Sequence, residues 1–343
     1  MSRGAPVLWC LLAAALFGAS TPTSKVLLQG AGPLTLAGLL YLGAAIATAP
    51  SSLRGGSRIR RREHGNLRCL AGAILFGGIL GPIALLLGLQ LAPAASVSLW
   101  LNLESVATAA LAWLFFQEHM NGRTAVANLA VVAAGIWLSA PDGFRFAPAA
   151  LLVLGAAICW GIDNNLTAMI DGYTPAQSTF AKGLVAGCVN LLLGFAVEGN
   201  VPSAGVVLGA LALGGLAYGA SIVLYIAGAQ QLGATRSQML FASAPFLGVA
   251  ISWLVVGEPV LPAQLGAGVL MIGALLLMLT ARHGHAHTHH ALTHTHPHRH
   301  DDGHHDHSHS DLPPTAWHTH EHGHEAIAHT HPHQPDLHHR HPH

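Results

Sequence analysis

The chain has 343 residues, of which 52% are apolar and only 9% are Asp, Glu, Lys or Arg, against roughly 25% charged in an ordinary soluble domain. So few charges cannot cover the surface of a water-soluble protein of this size, which argues against a cytosolic enzyme, a disulfide-stapled secreted domain and a nucleic-acid binder. The net charge of zero conceals a split: residues 1–282 carry 13 basic and 8 acidic side chains, residues 283–343 carry 2 and 7, and 24 of the 26 histidines follow Ala281.

In chain order, apolar stretches bounded by Gly, Pro or charge fall at about Val7–Leu28, Pro33–Thr48, Cys69–Gln90, Ala94–Phe116 and Thr124–Ala140, then at Pro148–Ile170, Pro175–Val197, Pro202–Ala229, Arg236–Val256 and Pro262–Ala281. Most approach the roughly 20 residues that cross the hydrocarbon of a bilayer. The second and fifth are the shortest. They lack the alternation of barrel strands, so helices are the expected spanning form. The first stretch, with Arg3 ahead of it and Gly18-Ala19-Ser20 behind, also fits a signal peptide, but a copy of it far inside the chain favours a true span. Cys10, Cys69, Cys159 and Cys188 each sit in an apolar run without Cys-x-x-Cys spacing and read as small hydrophobes.

Between the second and third stretches, Ser51–Arg68 holds Arg54, Arg58, Arg60, Arg61, Arg62 and Arg68. The positive-inside rule assigns that segment to the cytoplasm. Threading outward places Arg3, Arg123, Arg236 and Arg282 on the same side, so both termini are expected in the cytoplasm of a multi-pass protein of the inner (plasma) membrane. Only Arg145 and Lys25 fall outside this pattern.

Aligned with a shift of 140, Leu87–Glu118 and Ala227–Glu258 share Gly88/Gly228, Gln90/Gln230, Ala94/Ala234, Ala110/Ala250, Trp113-Leu114/Trp253-Leu254 and Glu118/Glu258. Phe17-Gly18 likewise corresponds to Trp160-Gly161. Residues 1–140 and 148–281 therefore read as two five-helix halves, and an odd number of spans per half makes them inverted repeats. The fold class expected is all-α integral membrane, ten transmembrane helices plus a disordered tail at 283–343.

Ten helices in two halves, acidic endings at Gln117-Glu118 and Gly257-Glu258, and an early aromatic-Gly followed by Lys25 resemble the drug/metabolite transporter superfamily, EamA type. The resemblance covers about residues 5–281 and implies a secondary carrier, often an exporter of amino acids or other small metabolites. The fourth helix departs from the common pattern in carrying Asn102-Leu103-Glu104.

An ionisable group at bilayer depth costs at least about 2.5–3.5 kcal/mol, so each one asks for a reason. Glu104, with Asn102 beside it, lies mid-way along the fourth helix, and Asp163, Asn164 and Asn165 lie along the sixth. Sites of inverted-repeat carriers form between halves, which makes these residues candidates for the substrate and ion pathway, one carboxylate coupling to protons and the asparagines bonding substrate. The competing reading is helix packing, or an internal ion pair with Lys25 or Lys182. Lys25 is a weaker candidate that also fits snorkelling to the interface, and Trp100 is a candidate cavity wall that equally fits packing. Pro22, Pro82 and Pro245 break helices one, three and nine, either to free carbonyls toward a cavity or as passive kinks, and Gly77-Gly78 and Gly214-Gly215 allow close helix contact.

From His283 the chain repeats His-x-His units. With Leu292, Leu312, Trp317, Ile327 and Leu337 almost its only apolar residues, it cannot build a core and is expected to be disordered. Imidazole is the commonest side-chain ligand for Zn, Ni, Co and Cu, and the candidate ligands are His294, His296, His298, His304, His305, His307, His318, His320, His322, His329, His331 and His333. A tail without a role and a cytoplasmic pH sensor are the alternatives. No cofactor is required, and no His-Glu-x-x-His, Walker loop or Gly-x-Ser-x-Gly points to an enzyme.

Three functions compete. The first is a proton- or gradient-coupled carrier of small polar metabolites with a metal-binding regulatory tail, whose partners are the bilayer, substrate, protons and divalent metal ions. The second is a carrier of a divalent transition metal that uses the tail to collect ions. The third is a membrane-anchored metal store or sensor.

Overall fold

The computed structural model describes residues 4–54, 64–116, 122–139, 147–170, 174–199, 201–232, 237, 240–279, 284–289, 292–298, 318–324 and 327–332. Among them, eight helices are long and apolar enough to cross a membrane, and two shorter apolar helices, Ala244–Leu254 and Pro262–Leu277, complete ten spans.

Span one is α1 (Gly4–Gly18) and α2 (Ser20–Leu27), and span two is α3 (Pro33–Arg54). Span three runs α4 (His64–Ala73), a π-helical segment (Ile74–Leu80) and α5 (Gly81–Leu91). Span four is broken into α6 (Ala94–Trp100) and α7 (Leu103–Phe116), and span five is α8 (Gly122–Ser139). The second half follows with α9 (Pro148–Ala168), α10 (Pro175–Val197), then α11 (Ala204–Gly214), a second π-helical segment (Gly215–Ala220) and α12 (Ser221–Leu232). Spans nine and ten are α13 (Ala244–Leu254) and α14 (Pro262–Leu279). Span two is longer than its hydropathy suggests because the helix continues through Pro50 to Arg54. Pro22, Pro82 and Pro245 all sit in the first turn of a helical segment, but the segment at Pro82 continues directly from the π-helical one, so its missing N–H is felt by the carbonyls before it.

The halves interlock rather than sit side by side. Span two packs on seven, four on nine and five on ten, while span one packs on eight as span three packs on six. This pairing repeats itself when the halves are exchanged, as a pseudo-two-fold requires. The two π-helical segments obey the same shift of about 140 residues, with Gly77 of the first matching Ala217 of the second. Every residue of α6 is buried, whereas α7 is largely half-buried or exposed. Span four is therefore enclosed at one end and accessible along the other.

Within the tail, four short segments are described. β1 (Gly284–His289) pairs antiparallel with β4 (Ile327–Pro332), and β2 (Leu292–His298) with β3 (His318–His324). His-x-His and His-Thr-His are period-2 sequences with β-branched alternates, which suit extended pairing although they supply no core.

Candidate functional site

The site grows from a defect in span three. Pro82 has no N–H, so the carbonyls four and five residues before it, Gly78 and Gly77, lose the donor a helix would give them. Side chains from three other helices replace it. Tyr41 of α3 and Trp160 of α9 both donate to the Gly77 oxygen, at 2.5 and 3.0 Å, and Asn190 of α10 donates to the Gly78 oxygen at 3.0 Å. Tyr41, Trp160 and Asn190 are all buried. The first π-helical segment thus becomes the hub on which spans two, six and seven converge.

Against this hub stands an ion pair. Lys182 Nζ lies 2.6 Å from each carboxylate oxygen of Asp163, and Thr167 donates to the same carboxylate at 2.9 Å. Gly77 is required here, because a Cβ on it would collide with the Asp163 carboxyl group. Glu104 of α7 accepts from the Asn164 amide at 2.9 Å, and that amide also reaches Thr108 Oγ1 at 3.2 Å. Asp163 and Lys182 lie within electrostatic range of Glu104. The cluster therefore sets two carboxyl groups against one lysine within the membrane span. Tyr41 also stacks on Tyr218 with ring centroids 5.9 Å apart, and Tyr218 meets Phe17 edge-on at 5.8 Å, extending the cluster to spans one and eight.

Of the residues singled out from sequence, Glu104, Asp163 and Asn164 come together. Asn165 instead ties helices, donating to Thr108 O at 3.1 Å and Gly161 O at 2.8 Å. Asn102 occupies the break in span four, where its amide meets Leu99 O at 2.9 Å and Met271 Sδ at 3.7 Å. Trp100 is 3% exposed and part of the apolar core. Lys25 lies at the end of α5, donating to Leu89 O at 2.6 Å and Ala92 O at 3.0 Å. Tyr41, Trp160 and Asn190 were not among the candidates; the readable sign was Pro82 behind Gly77-Gly78, which demands outside donors. Of the tail candidates, His304, His305, His307 and His333 lie outside the described residues.

Comparison with known proteins agrees with this architecture. The profile of the EamA-like transporter family matches residues 4–140 and again residues 147–280. An uncharacterized transporter of Methanothermobacter thermautotrophicus is 21% identical over 292 residues, covering 78% of this chain and 84% of the relative. A solved crystal structure, 19% identical, superposes with a TM-score of 0.60 over 80% of this chain and 98% of its own.

Proposed function

The chain belongs to the EamA-like transporter family, a family of multi-pass membrane transporters, and from that premise we propose that it is a secondary-active exporter of small zwitterionic metabolites such as amino acids. The observation that carries this reading is the Asp163–Lys182 pair within electrostatic range of Glu104. A zwitterion needs one anionic and one cationic partner. Glu104, whose carboxylate accepts from an amide and makes no ion pair among the described residues, takes the substrate ammonium, and Lys182 takes the substrate carboxylate as it loosens from Asp163. With the ammonium gone, a proton takes its place on the Glu104 carboxyl group, which couples transport to the proton gradient. Binding occurs between halves, as inverted repeats favour.

The tail is a cytoplasmic divalent-metal binder that regulates this carrier. Support comes from strand register: His294 pairs with His322, His296 with His320, His298 with His318, His285 with His331 and His287 with His329. Residues two apart share a face of a strand and directly opposed residues stand about 4.5–5.5 Å apart at Cβ. The register that sets His294, His296 and His298 opposite His322, His320 and His318 supports a nitrogen-rich site suited to Zn, Ni, Co or Cu.

The test is reconstitution in liposomes with counterflow of labelled amino acids, and separately of Zn, Ni and Co, for the intact chain, for Glu104→Gln and for the chain lacking 283–343. Amino-acid exchange that survives truncation and is lost in Glu104→Gln is expected. Metal flux in place of amino-acid flux assigns the chain as a metal carrier, and flux of neither kind assigns it as a metal store.

A further inference from the structure

Helix N-termini ordinarily carry their own caps. In the second half α10 does so through Thr174, in a capping box with Gln177, and α11 through Ser203. Two helices of the first half that open a span, α3 and α6, cannot. α3 is preceded by Gly32, which has no side chain, and α6 by Pro93, whose ring accepts no hydrogen bond.

Both borrow a cap from the other half. Glu198, just past α10, accepts from Leu34 N at 2.7 Å and from Thr35 N at 3.1 Å and Thr35 Oγ1 at 2.7 Å. Glu258, just past α13, accepts from Ala94 N at 2.6 Å and Ala95 N at 2.9 Å. The sequence separation is the same in both cases, 163 and 164 residues. A glycine adjoins each glutamate, Gly199 after Glu198 and Gly257 before Glu258, and these are the two glycines with positive φ among the described residues. Carboxylates suit this place, since they accept two N–H groups at once and complement the positive end of the helix dipole.

The start of α3 and the start of α6 lie on the same face, the one opposite the basic Ser51–Arg68 segment, because two spans, the second and the third, carry the chain from one to the other. On that face Lys25 completes the arrangement. It holds the carbonyls at the end of α5 while Glu258 holds the amides at the start of α6, so that the two charges grip the two sides of the Ala92-Pro93 corner. Lys25 and Glu258 are within electrostatic range of each other.

A cap that a helix supplies for itself survives any movement of the two halves; a cap lent across the boundary between them does not. We propose that Glu198 and Glu258 are positioning residues of the transport cycle, a releasable clasp that seals the face opposite the basic segment and lets go of α3 and α6 when that face opens. This goes beyond the substrate reading and rests only on the chain being a carrier.

The test uses the full chain in vesicles with C10A, C69A, C159A and C188A. Ser98→Cys is the reporter: Ser98 lies one turn inside Ala94, 1% exposed and against Gly248. Labelling by a membrane-impermeant maleimide is slow in this background. In E258Q and in E198Q/E258Q it rises about fivefold, the equivalent of one lost cap of about 1 kcal/mol, and from one side of the membrane only. In a second arm, A94C/E258C is bridged with a short thiol-specific crosslinker. Exchange of labelled substrate stops on bridging and returns on reduction. Labelling that does not change in either glutamine variant, or exchange that continues in the bridged protein, overturns the clasp. The labelling arm needs no substrate, so a failure to exchange amino acids refutes the substrate assignment without touching this one.

Discussion

Tyr41 and Trp160 donate to one and the same oxygen, the carbonyl of Gly77, although one belongs to the first half of the chain and the other to the second. The shared acceptor makes the two bonds interdependent. Y41F and W160F each leave one donor in place and are expected to cost about 1 kcal/mol, while the double variant leaves a buried carbonyl bare and costs about 1–3 kcal/mol beyond their sum. Thermal unfolding in detergent, arranged as a double-mutant cycle, measures the excess.

The Asp163–Lys182 pair separates stability from transport. D163N strands a largely buried ammonium and lowers stability by about 3–5 kcal/mol. D163N/K182M removes both charges and recovers most of the melting temperature, yet substrate exchange stays lost because the carboxylate-binding ammonium is gone. Recovery of exchange in the double variant would make the pair purely architectural.

Glu104→Gln keeps an acceptor for Asn164, so the fold holds. Substrate flux is expected to fall about tenfold or more, the worth of a charge-assisted contact. The loss is greatest for uptake driven by a pH gradient. Melting and flux measured on the same preparation distinguish this from a folding defect.

Gly77→Ala places a methyl group where the Asp163 carboxyl group sits. Overpacking of about 1–3 kcal/mol is expected, with flux reduced as in D163N. Gly155→Ala, whose added methyl meets nothing within 4 Å, leaves both unchanged and serves as the control.

Deletion of 283–343 is expected to leave the melting temperature of the ten-helix bundle and basal flux unchanged and to abolish tight Ni or Zn binding by calorimetry. Metal is bound by neutral imidazole, whose ordinary pKa is about 6.5. Binding by the full chain is therefore strong above neutrality and is lost as pH falls through about 6.

Hydropathy made the ten spans legible, and the shift-140 repeat revealed their inversion, because both follow from the one constraint that backbone in lipid must bond internally. Glu104, Asp163 and Asn164 were legible for the complementary reason: polar groups at bilayer depth are costly. The same rule also picked out Asn102 and Asn165, which bond to backbone of other turns and helices, since it registers cost without direction, and a helix presents different residues to different neighbours. Lys182 was readable only as one of two possible partners for a carboxylate. Glu198 escaped notice because a charge at a span's end is ordinary; its sign lay 163 residues away, in a helix start at Gly32-Pro33 with no capping side chain. The π-helical segments left one mark, Pro82, in the first half and none in the second, where Ser221 satisfies the Ala217 carbonyl.

Those two segments have a mechanical consequence. A π-turn accommodates one residue more than an α-turn, and one residue is roughly 100° of rotation about a helix axis. Spans three and eight each carry that residue as slack, at matching depths, beside the ion pair in one half and the Tyr218 ring in the other. Sliding the slack along its helix works like a screw thread. It turns whichever end lies beyond it while the other end stays seated, so these two spans can present a different row of side chains to the centre without leaving their places in the bundle.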